Sequence, residues 1–162
     1  MTMRRCLFLD IDGVLNSKQF LEVSARGEGV RIVGGQLDAT HHLDPVRVAM
    51  LDDFVERQGL ELVLSSSWRL LFGLDRTEEM LRSVGFRASF VGETPNLRGL
   101  PRAKEIAAFL ASTDGRHIRR FAILDDDPGA GDELAAHFVL VDDGLLDTDL
   151  ARAATILGVE AH

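Results

Sequence analysis

Two apolar runs of strand length in this chain lead straight into clustered aspartates. Cys6-Leu-Phe-Leu is followed by Asp10-Ile-Asp12-Gly13, and Phe121-Ala-Ile-Leu is followed by Asp125-Asp126-Asp127. Acids placed at a strand end emerge at the carboxyl edge of a sheet, where open α/β folds bind their ligands. Residues two apart on a strand share a face, so Asp10 and Asp12 are expected to project together while Ile11 turns toward the core. Gly13 then lets the chain leave the strand with dihedrals that other residues avoid. Carboxylates crowded in this way repel one another unless a cation or proton sits among them, which points to a hard divalent ion.

Strand and helix signals alternate along the chain, the pattern of a mostly parallel sheet with helices on both faces. Strands are predicted at about 6–10, 60–64, 86–91, 121–124 and 137–141. Residues 17–40 include Gly27, Gly29, Gly34 and Gly35 and read as a flap or hairpin within a single domain spanning 1–162. Asp44-Pro45 opens a helix with a capping carboxylate and a proline in the first turn. Val48, Leu51 and Val55 form its apolar stripe, and Gly59 ends it. Ser65-Ser66-Ser67 supplies capping hydroxyls for a short helix. Further helices are predicted at about 75–84 and 102–111, the second burying Ala103, Ile106, Phe109 and Leu110. Leu150, Ala153, Ala154 and Leu157 give the last helix its stripe.

Charge narrows the function classes. The total of −8 argues against a broad grip on a nucleic-acid duplex, because such affinity comes from many neutralised phosphates. Between Ser65 and Lys104, however, seven basic residues face four acids, a local +3 that leaves −11 for the rest. Arg76, Arg82 and Arg87 read as solvated helix faces, whereas Arg69, Arg98, Arg102 and Lys104 are candidates for a small anionic-ligand surface. Cys6 is the only cysteine, so no intrachain disulfide forms and a reducing cytoplasm is the expected location. No apolar stretch approaches the roughly 18 residues that span a bilayer, so no membrane association is expected.

An Asp-x-Asp-Gly after the first strand, a hydroxyl after the second, a basic residue opening a later helix and paired acids after the fourth strand occur here in that order. This arrangement resembles the haloacid dehalogenase (HAD) superfamily of phosphohydrolases. Phe8-Leu-Asp10-Ile-Asp12-Gly-Val-Leu-Asn16, Leu62-Val-Leu-Ser-Ser-Ser-Trp-Arg69, Arg102-x-x-Glu105-Ile106 and Ile123-Leu-Asp-Asp-Asp127 look most like the HAD domains associated with RNA-repair proteins. The resemblance implies a HAD-like, doubly wound (Rossmann-type) α/β fold with a parallel sheet, strand order 5-4-1-2-3, and a minimal cap domain or none.

The resemblance also implies roles. Asp10 would be the nucleophile that forms an aspartyl-phosphate, and Asp12 the group that protonates the leaving oxygen and then activates water. Mg²⁺ would take Asp10 and Asp126 as charged ligands, with Asp125 either binding it directly or standing just behind them, and Asp12 contributing its backbone carbonyl. Ser65 matches the phosphate-holding hydroxyl, with Ser66 as the alternative, although capping the following helix competes for Ser66. Arg102 fits the start of its helix while Lys104 is the more usual residue type, so one of the two would stabilise the phosphoryl oxygens. Arg69 and Arg98 would contact substrate. The substrate class stays open between phosphorylated nucleic-acid ends and nucleotides or small metabolites.

Other readings compete. A phospho-accepting signalling receiver is also α/β with an acid cluster, but its acceptor ends the third strand, and here that strand ends Phe90-Val91-Gly92 without an acid. An inactive metal-binding module is a further alternative. Trp68 reads as a packing residue. His41-His42 lack the additional ligands of a zinc site.

Overall fold

Alternation along the first strand sorts its side chains into two apolar layers. Leu7 and Leu9 enter one core and Cys6 and Phe8 the other, all fully buried. A strand covered on both faces must be apolar at every position, which is why Cys6-Leu-Phe-Leu shows no polar alternation.

The computed structural model describes residues 4–160. In chain order the strands are β1 (Arg4–Leu9), β2 (Arg31–Val33), β3 (Gln36–Asp38), β4 (Glu61–Leu64), β5 (Phe90–Glu93), β6 (Ile118–Asp125) and β7 (Phe138–Leu140). The helices are α1 (Lys18–Val23), α2 (Pro45–Gln58), α3 (Trp68–Leu71), α4 (Leu74–Ser83), α5 (Arg102–Ala111) and α6 (Asp147–Leu157). Five strands form one parallel sheet in the order β5-β4-β1-β6-β7, and β2 pairs with β3 as a separate antiparallel hairpin. Numbered along the whole chain, the order is therefore not 5-4-1-2-3, because the flap contributes two strands of its own outside the sheet.

Helix boundaries follow local chemistry. Asp44 caps α2 by accepting the Val46 N–H at 3.0 Å, Pro45 occupies the first helical position, and Gly59 closes the helix in the left-handed conformation (φ 59°). The stripe of Val48, Leu51 and Val55 is buried. On the opposite face of the sheet α5 brings Ile106 and Phe109 against Phe8, whose ring meets Phe109 and Phe121 edge-on at 5.8 Å. Leu150, Ala153, Ala154 and Leu157 of α6 all pack into the larger core.

One strand lies later than its apolar pattern predicts. Residues 86–89 form no strand although their apolar members Phe86 and Ala88 are buried, and the Arg87 and Ala88 N–H groups donate to Asp52 Oδ1 at 2.7 and 3.0 Å. A backbone satisfied by a side chain on α2 does not pair with β4, so β5 starts only at Phe90. Among the described residues no helix is long and apolar enough to cross a membrane.

Candidate active site

Three parallel ladders converge on one edge of the sheet. The Asp10 N–H donates to Leu124 O at 3.0 Å, the Ser65 N–H to Leu9 O at 2.8 Å and the Val141 N–H to Asp125 O at 2.9 Å. These bonds carry the pairing of β1 with β4 and β6 one step past the regular strands. They set Asp10, Ser65 and Asp125 at the same carboxyl edge, all nearly or fully buried.

Asp10, Asp125 and Asp126 each offer a carboxylate oxygen, and the three oxygens lie within 4.8 Å of one another. Asp126 is exposed while the other two are buried. Gly13 makes this approach possible: it sits at φ +78°, and a Cβ there would overlap the Asp126 carboxylate. HAD domains typically use Mg²⁺, and hard oxygen donors in a tight group, two of them desolvated, suit that ion.

The electrostatics match. Burial, and after it the Asp125 charge, pushes the Asp10 carboxyl well above the ordinary carboxylate range, against the pull of Arg102 and of the Ile11 N–H. Asp125 is raised too, chiefly by burial. Arg102 Nη1 lies 2.9 Å from Asp10 Oδ2 and 2.7 Å from Asp125 Oδ2. Burial alone would lower the guanidinium pKa, but the two carboxylates raise it above its ordinary value. One cation against two buried carboxylates, with Asp126 beside them, leaves room for further positive charge.

A cation bound there stabilises the fold by mass action, by about 2.7 kcal/mol at a hundredfold excess over Kd. For a domain of this length that raises the melting midpoint by several degrees. Thermal melts at neutral pH are expected to show this gain with Mg²⁺ and its loss with chelator. Asp126→Asn is expected to blunt the response, and full metal response in that variant would count against the site.

The remaining candidates separate by geometry. Ser65 Oγ is buried without a hydrogen-bond partner, whereas Ser66 Oγ accepts the first amide of α3, the Trp68 N–H, at 3.2 Å; the N-cap position itself falls on Ser67. Lys104 pairs with exposed Glu133 at 3.1 Å and is not at the acid cluster. Arg102 and Lys104 are two residues apart on a helix, about 200° around its axis, so only one of them can face Asp10. Arg69 is a strut beneath the site. Its guanidinium donates to the carbonyls of Ser66, Thr94 and Pro95 and pairs with Glu105 at 2.9 Å, with both side chains buried. Arg98 is exposed, on the wall of a groove of about 270 Å³ shared with Leu70, Leu97, Arg102 and Asp127. A larger concavity of about 750 Å³ beside Pro45, Met50 and Arg87 is lined by none of the candidate residues.

Asp12 departs from the simple strand rule. Since β1 ends at Leu9, the chain is already turning at Asp12, and the Val14 and Leu15 N–H groups return to Ile11 O at 3.1 and 2.8 Å. Ile11 is buried as expected, but the Asp12 carboxylate is outside the three-acid group. Its Oδ2 accepts the Trp68 indole N–H at 3.0 Å and its Oδ1 the Asn16 amide at 3.1 Å. Neither Trp68, Asn16 nor Glu105 stands out in the sequence as a site residue. In the sequence Asn16 and Glu105 occur only within the family-like motifs and Trp68 reads as packing; that Glu105 is buried against Arg69 is visible only in the structure.

A parallel α/β sheet with acid groups at the ends of two adjacent strands, a basic residue between them and a hydroxyl on the neighbouring strand defines a HAD-type domain. The chain belongs to the family described as the HAD domain in Swiss Army Knife RNA repair proteins, whose model matches residues 6–150. HAD domains are generally hydrolases that act on phosphate esters. A comparison with curated proteins found no match.

Proposed function

We propose that this protein is a Mg²⁺-dependent phosphohydrolase that works through an aspartyl-phosphate and acts on phosphorylated nucleic-acid ends. The observation that carries the reading is the Asp10–Arg102–Asp125 bridge at the carboxyl edge, 2.9 and 2.7 Å across, with the unpartnered Ser65 hydroxyl on the adjacent strand. A buried hydroxyl without a partner costs stability unless a ligand completes it, and a phosphoryl oxygen is a suitable acceptor.

Asp10 attacks phosphorus in line. The new Asp10–P bond forms as the bond to the leaving oxygen breaks, and Asp12 gives that oxygen a proton. Asp12 then takes a proton from water as it attacks the aspartyl-phosphate, releasing inorganic phosphate and the Asp10 carboxylate. Arg102 and the Ser65 hydroxyl hold the phosphoryl oxygens and meet the charge that grows on them. Asp10, Asp125 and Asp126, with the Asp12 backbone carbonyl, would hold Mg²⁺, which would supply Lewis-acid stabilisation of those oxygens. A cytoplasmic location belongs to the same reading, in keeping with a single cysteine, Cys6, that can form no intrachain disulfide.

Two observations favour a polymer end over a mononucleotide. The segment between β1 and α2 folds as α1 and the β2–β3 hairpin rather than as a full helical cap. The groove beside Arg102 carries Arg98 on its wall. Few phosphates can be neutralised by so acidic a protein, so the salt dependence of binding is expected to be shallow, about −0.7 in log–log slope per contacted phosphate. The discriminating experiment compares a short 3′- or 5′-phosphorylated oligonucleotide with the matching mononucleotide. Higher kcat/KM for the oligonucleotide, eroded by Arg98→Ala, is the expected result. An equal or better mononucleotide across a range of salt would transfer the reading to a nucleotide or small-metabolite phosphatase.

A further inference from the structure

We infer that Trp68 is a positioning residue that fixes the Asp12 carboxylate for proton transfer, and so ties the phosphate-holding loop after β4 to the acid–base group after β1. The inference rests on the role given to Asp12 above. Asp12 is exposed, and an exposed carboxylate ordinarily samples several rotamers in water. Here both of its oxygens are held. Oδ2 accepts the Trp68 indole N–H at 3.0 Å, and Oδ1 accepts the Asn16 amide at 3.1 Å.

Both donors are themselves fixed. Asn16 is 1% exposed, and its Oδ1 accepts the Gly13 N–H at 2.8 Å, which leaves its amide nitrogen directed at Asp12. Trp68 is 3% exposed, its ring lies 5.0 Å from that of Phe72, and its backbone N–H is bound by Ser66 Oγ at 3.2 Å. Indole nitrogen only donates, so Trp68 orients the Asp12 oxygen without exchanging a proton with it. Because Trp68 and Ser65 are three residues apart in one short segment, a phosphate seated on Ser65 is held in register with Asp12. A misplacement of about 1 Å at such a group costs rates on the order of 100-fold, which is the penalty this clamp avoids.

Trp68 is the only tryptophan in the chain, so its indole N–H gives a single, assignable proton resonance. In Asp12→Asn that resonance is expected to move upfield, and the remote control Asp53→Asn is expected to leave it in place. An unmoved resonance in Asp12→Asn overturns the inference whatever the kinetics. Trp68→Phe keeps an aromatic ring against Phe72 and removes the donor. Its kcat for an alkyl phosphate is expected to fall on the order of 10- to 100-fold, with a much smaller loss for an activated aryl phosphate that needs no proton and with KM little changed for both. Equal losses for the two substrates, or none, reduce Trp68 to packing and overturn the inference. A moved resonance together with equal losses in Asp12→Asn removes the proton-transfer reading of Asp12 itself, and the role of Trp68 falls with it. A leaving-group-dependent Asp12→Asn beside an unaffected Trp68→Phe overturns the positioning role alone.

Discussion

Asp10→Asn is expected to lower turnover of every phosphate ester by at least about 10⁴-fold, the scale on which loss of a nucleophile acts when catalytic groups work as a unit. The substitution keeps shape and still accepts the Ile11 N–H that Asp10 Oδ1 receives at 2.8 Å, so the fold is expected to persist. Indeed, removing one of two carboxylates whose pKa values burial has raised relieves a strained pair. Asp12→Asn is expected to behave differently. It should cost an alkyl phosphate about 10²- to 10⁴-fold, the usual contribution of a proton donor, and an activated aryl phosphate far less. Initial rates on the two esters decide the matter. Turnover by Asp10→Asn close to that of the unaltered protein would remove the covalent mechanism, and equal losses in Asp12→Asn would remove its proton-donor role.

The largest expected effect on stability lies at Glu105. Its Oε2 accepts Arg69 Nη2 and the Leu97 N–H, each at 2.9 Å, and both members of the ion pair are buried. Removing one partner of a buried pair leaves an uncompensated charge, at a cost of about 3–5 kcal/mol. Glu105→Ala is therefore expected to be among the least stable single variants, read as a lowered midpoint in denaturant at constant m-value. The loss reaches the site as well. Arg69 ties the segment after β4 to the loop at Thr94 and Pro95, and Glu105 stands one turn along α5 from Arg102. A Glu105→Ala variant as stable as its parent would show that the carbonyls of Ser66, Thr94 and Pro95 suffice to hold Arg69.

The contrast between Arg69 and Arg102 shows where sequence reasoning reaches its limit. Both are arginines near turn residues in the locally basic stretch, and charge pattern assigns both to substrate. Only the packing of α5 against the sheet separates them, turning Arg102 toward Asp10 and Asp125 and closing Glu105 over Arg69. Lys104 was separable in principle by helical phase, but phase needs a reference direction, and the sheet supplies it. The late start of β5 has a similar origin, since Asp52 is 35 residues before Arg87 and no local pattern announces that it will take two backbone N–H groups.

What the chain determined by itself was whatever depends on near neighbours. The apolar runs and the acids that end them, the Asp44-Pro45 and Gly59 ends of α2, the extent of α5 and the buried stripe of α6 all follow from periodicity, capping and burial over one or two turns. The motif order was enough to place the chain in its superfamily. Tertiary structure alone decided which oxygens meet, because a side chain's partner is fixed by the register of non-adjacent strands and the rotation of helices against them. The Asp10–Arg102–Asp125 bridge, the close approach of Asp126 permitted by Gly13, and the hold of Trp68 on Asp12 across 56 residues of sequence are settled at that level.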